Sequence, residues 1–168
     1  VYGTSKGLVY VGGLIGYNNL VPMRFYGKEV VNKGNITLNA IVESGICALA
    51  GHMGYAVNSF LPFQPQNECS IINEGNITVE KDSSFSGTFS LGGIGAYVHT
   101  SSSNSGGHPN AADDGIVKYI NYDKISVAQG VTASSEQRIG GIFGYSHIGM
   151  GNGLYWINNP NEVAKHIN

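Results

Sequence analysis

Two short phrases alternate along this chain, and their recurrence limits the fold more than any single residue does. The first runs Val11-Gly12-Gly13-Leu14-Ile15-Gly16-Tyr17. It returns as Leu49-Ala50-Gly51-His52-Met53-Gly54-Tyr55, as Leu91-Gly92-Gly93-Ile94-Gly95-Ala96-Tyr97 and as Ile139-Gly140-Gly141-Ile142-Phe143-Gly144-Tyr145. The second, Val31-Asn32-Lys33-Gly34-Asn35-Ile36-Thr37, returns as Ile72-Asn73-Glu74-Gly75-Asn76-Ile77-Thr78. It recurs more loosely as Ile120-Asn121-Tyr122-Asp123-Lys124-Ile125-Ser126, and Ile157-Asn158 begins it a fourth time. A unit of this length cannot bury an apolar face alone and must stack on its neighbours.

The spacing divides each repeat into a rigid half and an elastic half. The interval from Asn32 to Gly51 matches those from Asn73 to Gly93 and from Asn121 to Gly141 to within a single position. The intervals between successive central glycines, by contrast, lengthen steadily from Gly13 through Gly51 and Gly93 to Gly141. The variation therefore falls after each Tyr, as expected of a structural unit followed by a surface loop. Within the constant half, Ile36-Thr37-Leu38, Ile77-Thr78-Val79 and Ile125-Ser126-Val127 alternate apolar and small polar residues. That is the period of a half-buried strand. The paired glycines oppose a helix and suit a bend or a close backbone approach.

These features predict an all-β fold, a parallel β-solenoid (β-helix) of about four coils of roughly 38–48 residues each. Right-handed is the expected hand, since parallel crossovers prefer it. Equivalent side chains should then form columns: Asn32, Asn73, Asn121 and Asn158; Ile36, Ile77 and Ile125; Tyr17, Tyr55, Tyr97 and Tyr145. Stacked Asn amides can bond from coil to coil. Gly13, Gly51, Gly93 and Gly141 would mark a sharp turn where a Cβ would clash. Residues 1–168 read as a single solenoid domain. Coils rise only about 4.8 Å each, so the object is wide and thin with large end faces. Neither end reads as a polar cap. A segment of a longer chain, or self-association through coil ends, is therefore expected.

Composition bears on location and partners. Charged residues make up 12% of the chain, about half the usual ~25%. The polar surface must come from Ser, Thr, Asn and Gly, which suits an extracellular or cell-surface repeat protein better than a cytosolic enzyme. A net charge of −2 offers no electrostatic pull toward nucleic acid or an anionic membrane. No apolar run is long enough to predict membrane insertion by a helix. No signal peptide is visible at the start, so secretion would require one upstream. Cys47 and Cys69 are expected as small buried hydrophobes, with a disulfide between them left open.

The run Gly12–Asn18 resembles the GLUG motif of bacterial surface proteins. Its partner phrase, Asn-x-Gly-x-Ile followed half a repeat later by Gly-Gly-Ile-x-Gly-Tyr, is similar to repeats of large adhesin-like proteins. Such repeats also occur in the non-catalytic region of immunoglobulin A peptidases. The resemblance covers most of the chain and implies a β-helix stalk or adhesin at the cell surface. It carries no catalytic residues to transfer. Ala50-Gly51, Gly95-Ala96 and Asn158-Asn159-Pro160-Asn161 depart from the pattern.

No motif predicts catalysis, a cofactor or a strong metal site. The aspartates are scattered, unlike the paired carboxylates of glycoside chemistry. Asp113-Asp114-Gly115 is a weak calcium candidate, better read as a turn. His52 replaces the Leu or Ile of the other phrases and reads as a packed, hydrogen-bonded side chain. His99, His108 and His147 fall in the segments after Tyr, where converging loops could assemble two or three imidazoles. Gly3-Thr4-Ser5-Lys6-Gly7 lacks the strand and helix of a nucleophile elbow. Asn35 and Asn76 match the glycosylation pattern, but glycans on adjacent coils would crowd each other. The functional lead is the variable segments Asn18–Lys28, Asn58–Asn67, Val98–Gly115 and Ser146–Tyr155. Their ligand-contact candidates are Phe25, Tyr26, Phe60, Phe63, His99, His108, Tyr155 and Trp156, suited to sugar rings or a protein partner. The expected function is a non-enzymatic adhesin or fibre segment that contacts a host or cell-surface glycan or protein. Its rivals are a self-assembling structural unit and a carbohydrate-active β-helix enzyme.

Overall fold

In the computed structural model the described residues are 1–19, 28–57, 69–100 and 117–148. Among them every regular element is a strand. The first repeat contributes β1 (Tyr2–Ser5), β2 (Val9–Gly12), β3 (Ile15–Asn19) and β4 (Glu29–Asn32). The second contributes β5 (Ile36–Val42), β6 (Ile46–Ala50), β7 (Met53–Val57) and β8 (Cys69–Asn73). The third contributes β9 (Ile77–Val79), β10 (Ser84–Phe85), β11 (Thr88–Gly92), β12 (Gly95–Thr100) and β13 (Val117–Asn121). The fourth contributes β14 (Ile125–Val127), β15 (Thr132–Ala133), β16 (Gln137–Gly140) and β17 (Phe143–Ile148).

Each sheet collects equivalent strands in chain order: β2-β6-β11-β16, β3-β7-β12-β17, and β4-β8-β13. The fourth sheet centres on β5, which pairs with β9 and then β14 along its first half and with β1 and β10 along its second. All described pairings are parallel. A parallel pair needs a long crossover, and here the rest of a repeat provides it. The phrases set the register. Val11, Leu49, Leu91 and Ile139 are successive partners, as are Ile36, Ile77 and Ile125.

Alternation along the strands sends Leu38, Leu49, Ile77, Val79, Phe85, Phe89 and Leu91 into one core cluster. The rings of Phe85 and Phe89 stack there at 4.2 Å. A second cluster gathers Met53, Ile71, Ile94, Val98 and Tyr119. The continuous β5 is replaced in later repeats by two short strands with a turn between them. Asp82 takes φ 71° in one such turn, and Gly130 takes φ 98° at the matching place in the next. The Ser83 hydroxyl accepts from the Ala40 N–H at 3.3 Å where the ladder is interrupted.

After Tyr17, Tyr97 and Tyr145 the strands run further than the sequence predicts, whereas β7 ends at Val57, just before the variable segment expected from Asn58. β3 continues through Asn19, β12 through Thr100 and β17 through Ile148. Segments read as loops from Asn18, Val98 and Ser146 therefore begin as strand, and His99 and His147 lie in strands. The cause is visible in the burial of Ala56 and Val98: the period-2 alternation persists past the Tyr and still places an apolar side chain inside.

The central glycines join the β2-type sheet to the β3-type sheet. Gly51 N–H donates to Gly93 O at 3.1 Å, and Gly93 N–H to Gly141 O at 3.2 Å. A Cβ on Gly13, Gly51 or Gly93 would collide with the carbonyl oxygen of the next central glycine. The same Cβ would strike the Asn column, 2.5 Å from Asn73 Oδ1 at Gly51 and 2.6 Å from Asn121 Cγ at Gly93. None of these glycines has positive φ. Close approach, not a left-handed backbone, excludes a side chain. Gly93→Ala should therefore lower stability in urea denaturation by about 2–3 kcal/mol, the scale of an overpacked core. Gly7, with open space around it, should tolerate Ala within about 0.5 kcal/mol. Equal losses at both positions would refute the steric account.

Candidate functional site

The asparagine column is the most completely bonded polar feature. Asn73 is 0% exposed. Its Nδ2 donates to Gly75 O at 2.7 Å and to Asn121 Oδ1 at 2.8 Å, while its Oδ1 accepts from Asn32 Nδ2 at 2.7 Å and Gly75 N at 3.4 Å. Asn32 and Asn121 close the same local turn, onto Gly34 O at 3.0 Å and Asp123 O at 2.9 Å. The Asn-x-Gly spacing thus serves two ends: the amide closes its own turn and reaches the next amide. A buried amide left unpaired would cost about 1–3 kcal/mol per group. The column is architecture, sealed from ligands by the glycine corner beside it.

The tyrosines form a stack on the surface. Ring centroids lie 5.6 Å apart for Tyr17 and Tyr55, 4.7 Å for Tyr55 and Tyr97, and 4.7 Å for Tyr97 and Tyr145. Tyr10 joins at 4.7 Å from Tyr55, and the Arg138 guanidinium lies 4.1 Å from the Tyr145 centroid. Tyr10, Ala48, Ser90 and Arg138 are register partners. Large residues at the two ends of that row flank small ones, and Tyr10, Tyr55 and Tyr97 pack against a cluster of alanines that includes Ala48. Burial, then the neighbouring phenols, hold the Tyr10 and Tyr55 hydroxyls above their ordinary pKa. Tyr55 and Tyr97 have both faces covered, so the stack offers ring edges and hydroxyls, not a flat platform for a sugar. Arg138 and Tyr10 were not legible as members. The small-residue row Ala48 and Ser90 was the available signal.

Other candidates separate. Asn35 Oδ1 accepts from Asn76 N at 2.9 Å and Nδ2 at 3.3 Å, so the two sequon asparagines stack on each other. Cys47 is a free, buried thiol pushed up to about 12 by burial, too poorly ionised to react at neutral pH. His99 is half-buried in β12, and its backbone partner in β17 is His147. Phe25, Tyr26, Phe60, Phe63, His108, Asp113, Asp114, Tyr155, Trp156 and Asn158 lie outside the described residues. Among the described residues no group of three or more His, Cys, Asp or Glu is placed to hold a metal ion. None of them forms a helix long and apolar enough to cross a membrane.

No family model matches the chain, and neither a curated protein nor a solved structure was found to be similar to it.

His52 is 3% exposed, between the glycine corner and the second core cluster. Its Nε2 lies 2.6 Å from Ile72 O and so carries the proton, while Nδ1 has no partner. Burial lowers its pKa, against a smaller opposing effect of the Ile72 bond. The folded state therefore resists a proton that the unfolded chain accepts near 6.5. His52 contributes stability that is present above that value and is lost as pH falls below it. Relative to His52→Ile, the native chain should lose about 1 kcal/mol between pH 7.5 and 5.5 in urea titrations. Parallel profiles for the two proteins would sink this assignment.

Proposed function

We propose that this chain is a non-enzymatic β-solenoid segment of an extracellular surface protein, a stiff scaffold whose connections after each Tyr strand make the contacts. The supporting observation is where those connections leave and return. They depart from β3, β7 and β12 and re-enter at β4, β8 and β13, which are neighbours in their sheets. Asn19, Val57 and His99 are successive register partners on the departing side, and Glu29, Ser70 and Lys118 on the returning side. Connections of unequal length thus issue from one edge of a regular stack. The low charge content and the GLUG-like phrases favour a cell-surface setting, with a glycan or protein as partner.

The test is a glycan and host-protein array probed with the intact chain and with variants carrying a Gly-Ser linker in place of residues 20–27, 58–68 or 101–116. At least one replacement should abolish binding to a partner of the intact chain, and bound glycans should be recovered unchanged in mass. Binding that survives each replacement in turn would end the reading, and cleaved glycan would restore the enzyme alternative.

End-to-end self-association is favoured by a separate observation. Ile139 is 52% exposed and Val127 40%, whereas their register partners Leu91 and Val79 are 0%. Among the described residues, the outer face of the fourth repeat keeps the apolar pattern of the core without its cover. A second copy that placed its Val11 and Tyr17 beyond Ile139 and Tyr145 would continue the existing register. Such a head-to-tail contact does not close on itself, so sedimentation velocity should show species growing with concentration. A monomer unchanged across the accessible concentration range would dismiss it.

A further inference from the structure

We infer that the joint between two copies of this chain is latched by Arg138 of one copy against Tyr10 of the next. This deepens the end-to-end reading and rests on it. Tyr10, Ala48, Ser90 and Arg138 are successive register partners, one from each repeat. The two large side chains stand at opposite ends of that row and are separated within a chain by the two small ones. A second copy that continues the register places its Tyr10 directly beyond Arg138. One rung of a parallel ladder is about 4.8 Å, inside the ~6 Å reach of a cation–π contact. Both groups are planar and can stack at that spacing, as the rings of Tyr97 and Tyr145 do at 4.7 Å.

The two ends are complementary in other respects. Among the described residues, β2 and β16 stand at opposite ends of one sheet, and β3 and β17 at opposite ends of another. The backbone on the outer edge of a terminal strand can take up a further strand. The head-to-tail register sets Val9–Gly12 of the second copy against Gln137–Gly140 of the first. Leu14 in the first repeat is 49% exposed, whereas its counterparts in the next two phrases, His52 and Ile94, are buried. The fourth repeat of a preceding copy would cover it. The Arg138 guanidinium is already positioned for the contact: Glu136 holds its Nη2, and the Tyr145 centroid lies 4.1 Å away. Partial removal from water strengthens the attraction of such a cation to a ring.

The test uses the full chain. In sedimentation velocity, Arg138→Met should weaken self-association about 3- to 30-fold, the range of a cation–π contact. Chains carrying Tyr10→Cys and Arg138→Cys, mixed and oxidised, should form a disulfide-linked dimer in greater yield than either chain alone, because paired Cα atoms fall within disulfide range. In the native chain, phenylglyoxal should modify Arg138 more slowly as rising concentration drives assembly. A native chain that stays monomeric at every accessible concentration would remove the end-to-end reading and the latch with it. Assembly at native strength in Arg138→Met, or mixed-chain cross-linking no greater than that of the separate chains, would overturn the latch alone. So would an Arg138 modification rate indifferent to concentration in an assembling native chain, whether or not a variant folds.

Discussion

Everything in this structure depends on how closely the backbones of successive repeats approach at the glycine corner. There the peptide of one repeat donates to the glycine carbonyl of the next, and that carbonyl occupies the volume a Cβ would need. The approach fixes the register of both adjoining sheets at once, because β6 enters the corner and β7 leaves it within a few residues. It also opens the space that the asparagine amides fill. A larger residue would separate the repeats, and the separation would break the Asn73 to Asn121 bond as well as the peptide hydrogen bonds. Steric exclusion and amide pairing therefore specify the same register from two sides, the mutual support expected of a sequence with one favoured fold.

That coupling explains which features can be read beforehand. Strand character at Ile36–Leu38 follows from period-2 alternation, and parallel pairing follows from repetition of whole phrases, since both are written in the order of the residues. The reason for the glycines is only half legible: sequence marks a position that excludes Cβ, but it does not distinguish a left-handed turn from a carbonyl lying across the Cα. The limits of the loops are blurred because Val98 falls with the variable segment, although its inward burial extends the strand. Arg138 over Tyr145 is illegible for a different reason. The contact joins residues from two sheets across a corner, and no repeat spacing encodes the angle of a corner. The His99 and His147 pairing is present in the count, two residues past Tyr97 and Tyr145. Recognising it requires knowing that the strand has not yet ended.

The departures from the phrase are compensated locally, which shows how tightly the rungs constrain one another. At Gly95-Ala96 the third repeat inverts the usual order of a large residue followed by glycine. Gly95 pairs with Met53 on one side and Phe143 on the other. A Cβ at Gly95 would lie 3.0 Å from the Phe143 ring and 2.8 Å from Val98 Cγ2. The aromatic ring of the fourth repeat thus takes up volume that the third leaves empty, and volume is conserved between rungs though not within them. His52 is a second exception of this kind, a polar ring in an apolar row that is tolerated because Ile72 O accepts its one donor.

Rungs so closely coupled leave little freedom for the stack itself to adapt to a ligand. The inner tyrosines have no free faces, and the bonded asparagine amides are committed to one another and to their own turns. Variation that could alter recognition without disturbing the ladder must enter where a repeat can lengthen at no cost to register. Loop closure grows only slowly more unfavourable with length, so the passage from the Tyr strand to the Asn strand can absorb the lengthening of the period from the first repeat to the last. The rigidity of the glycine corner and the latitude of the connections that follow the Tyr strands are two aspects of one design.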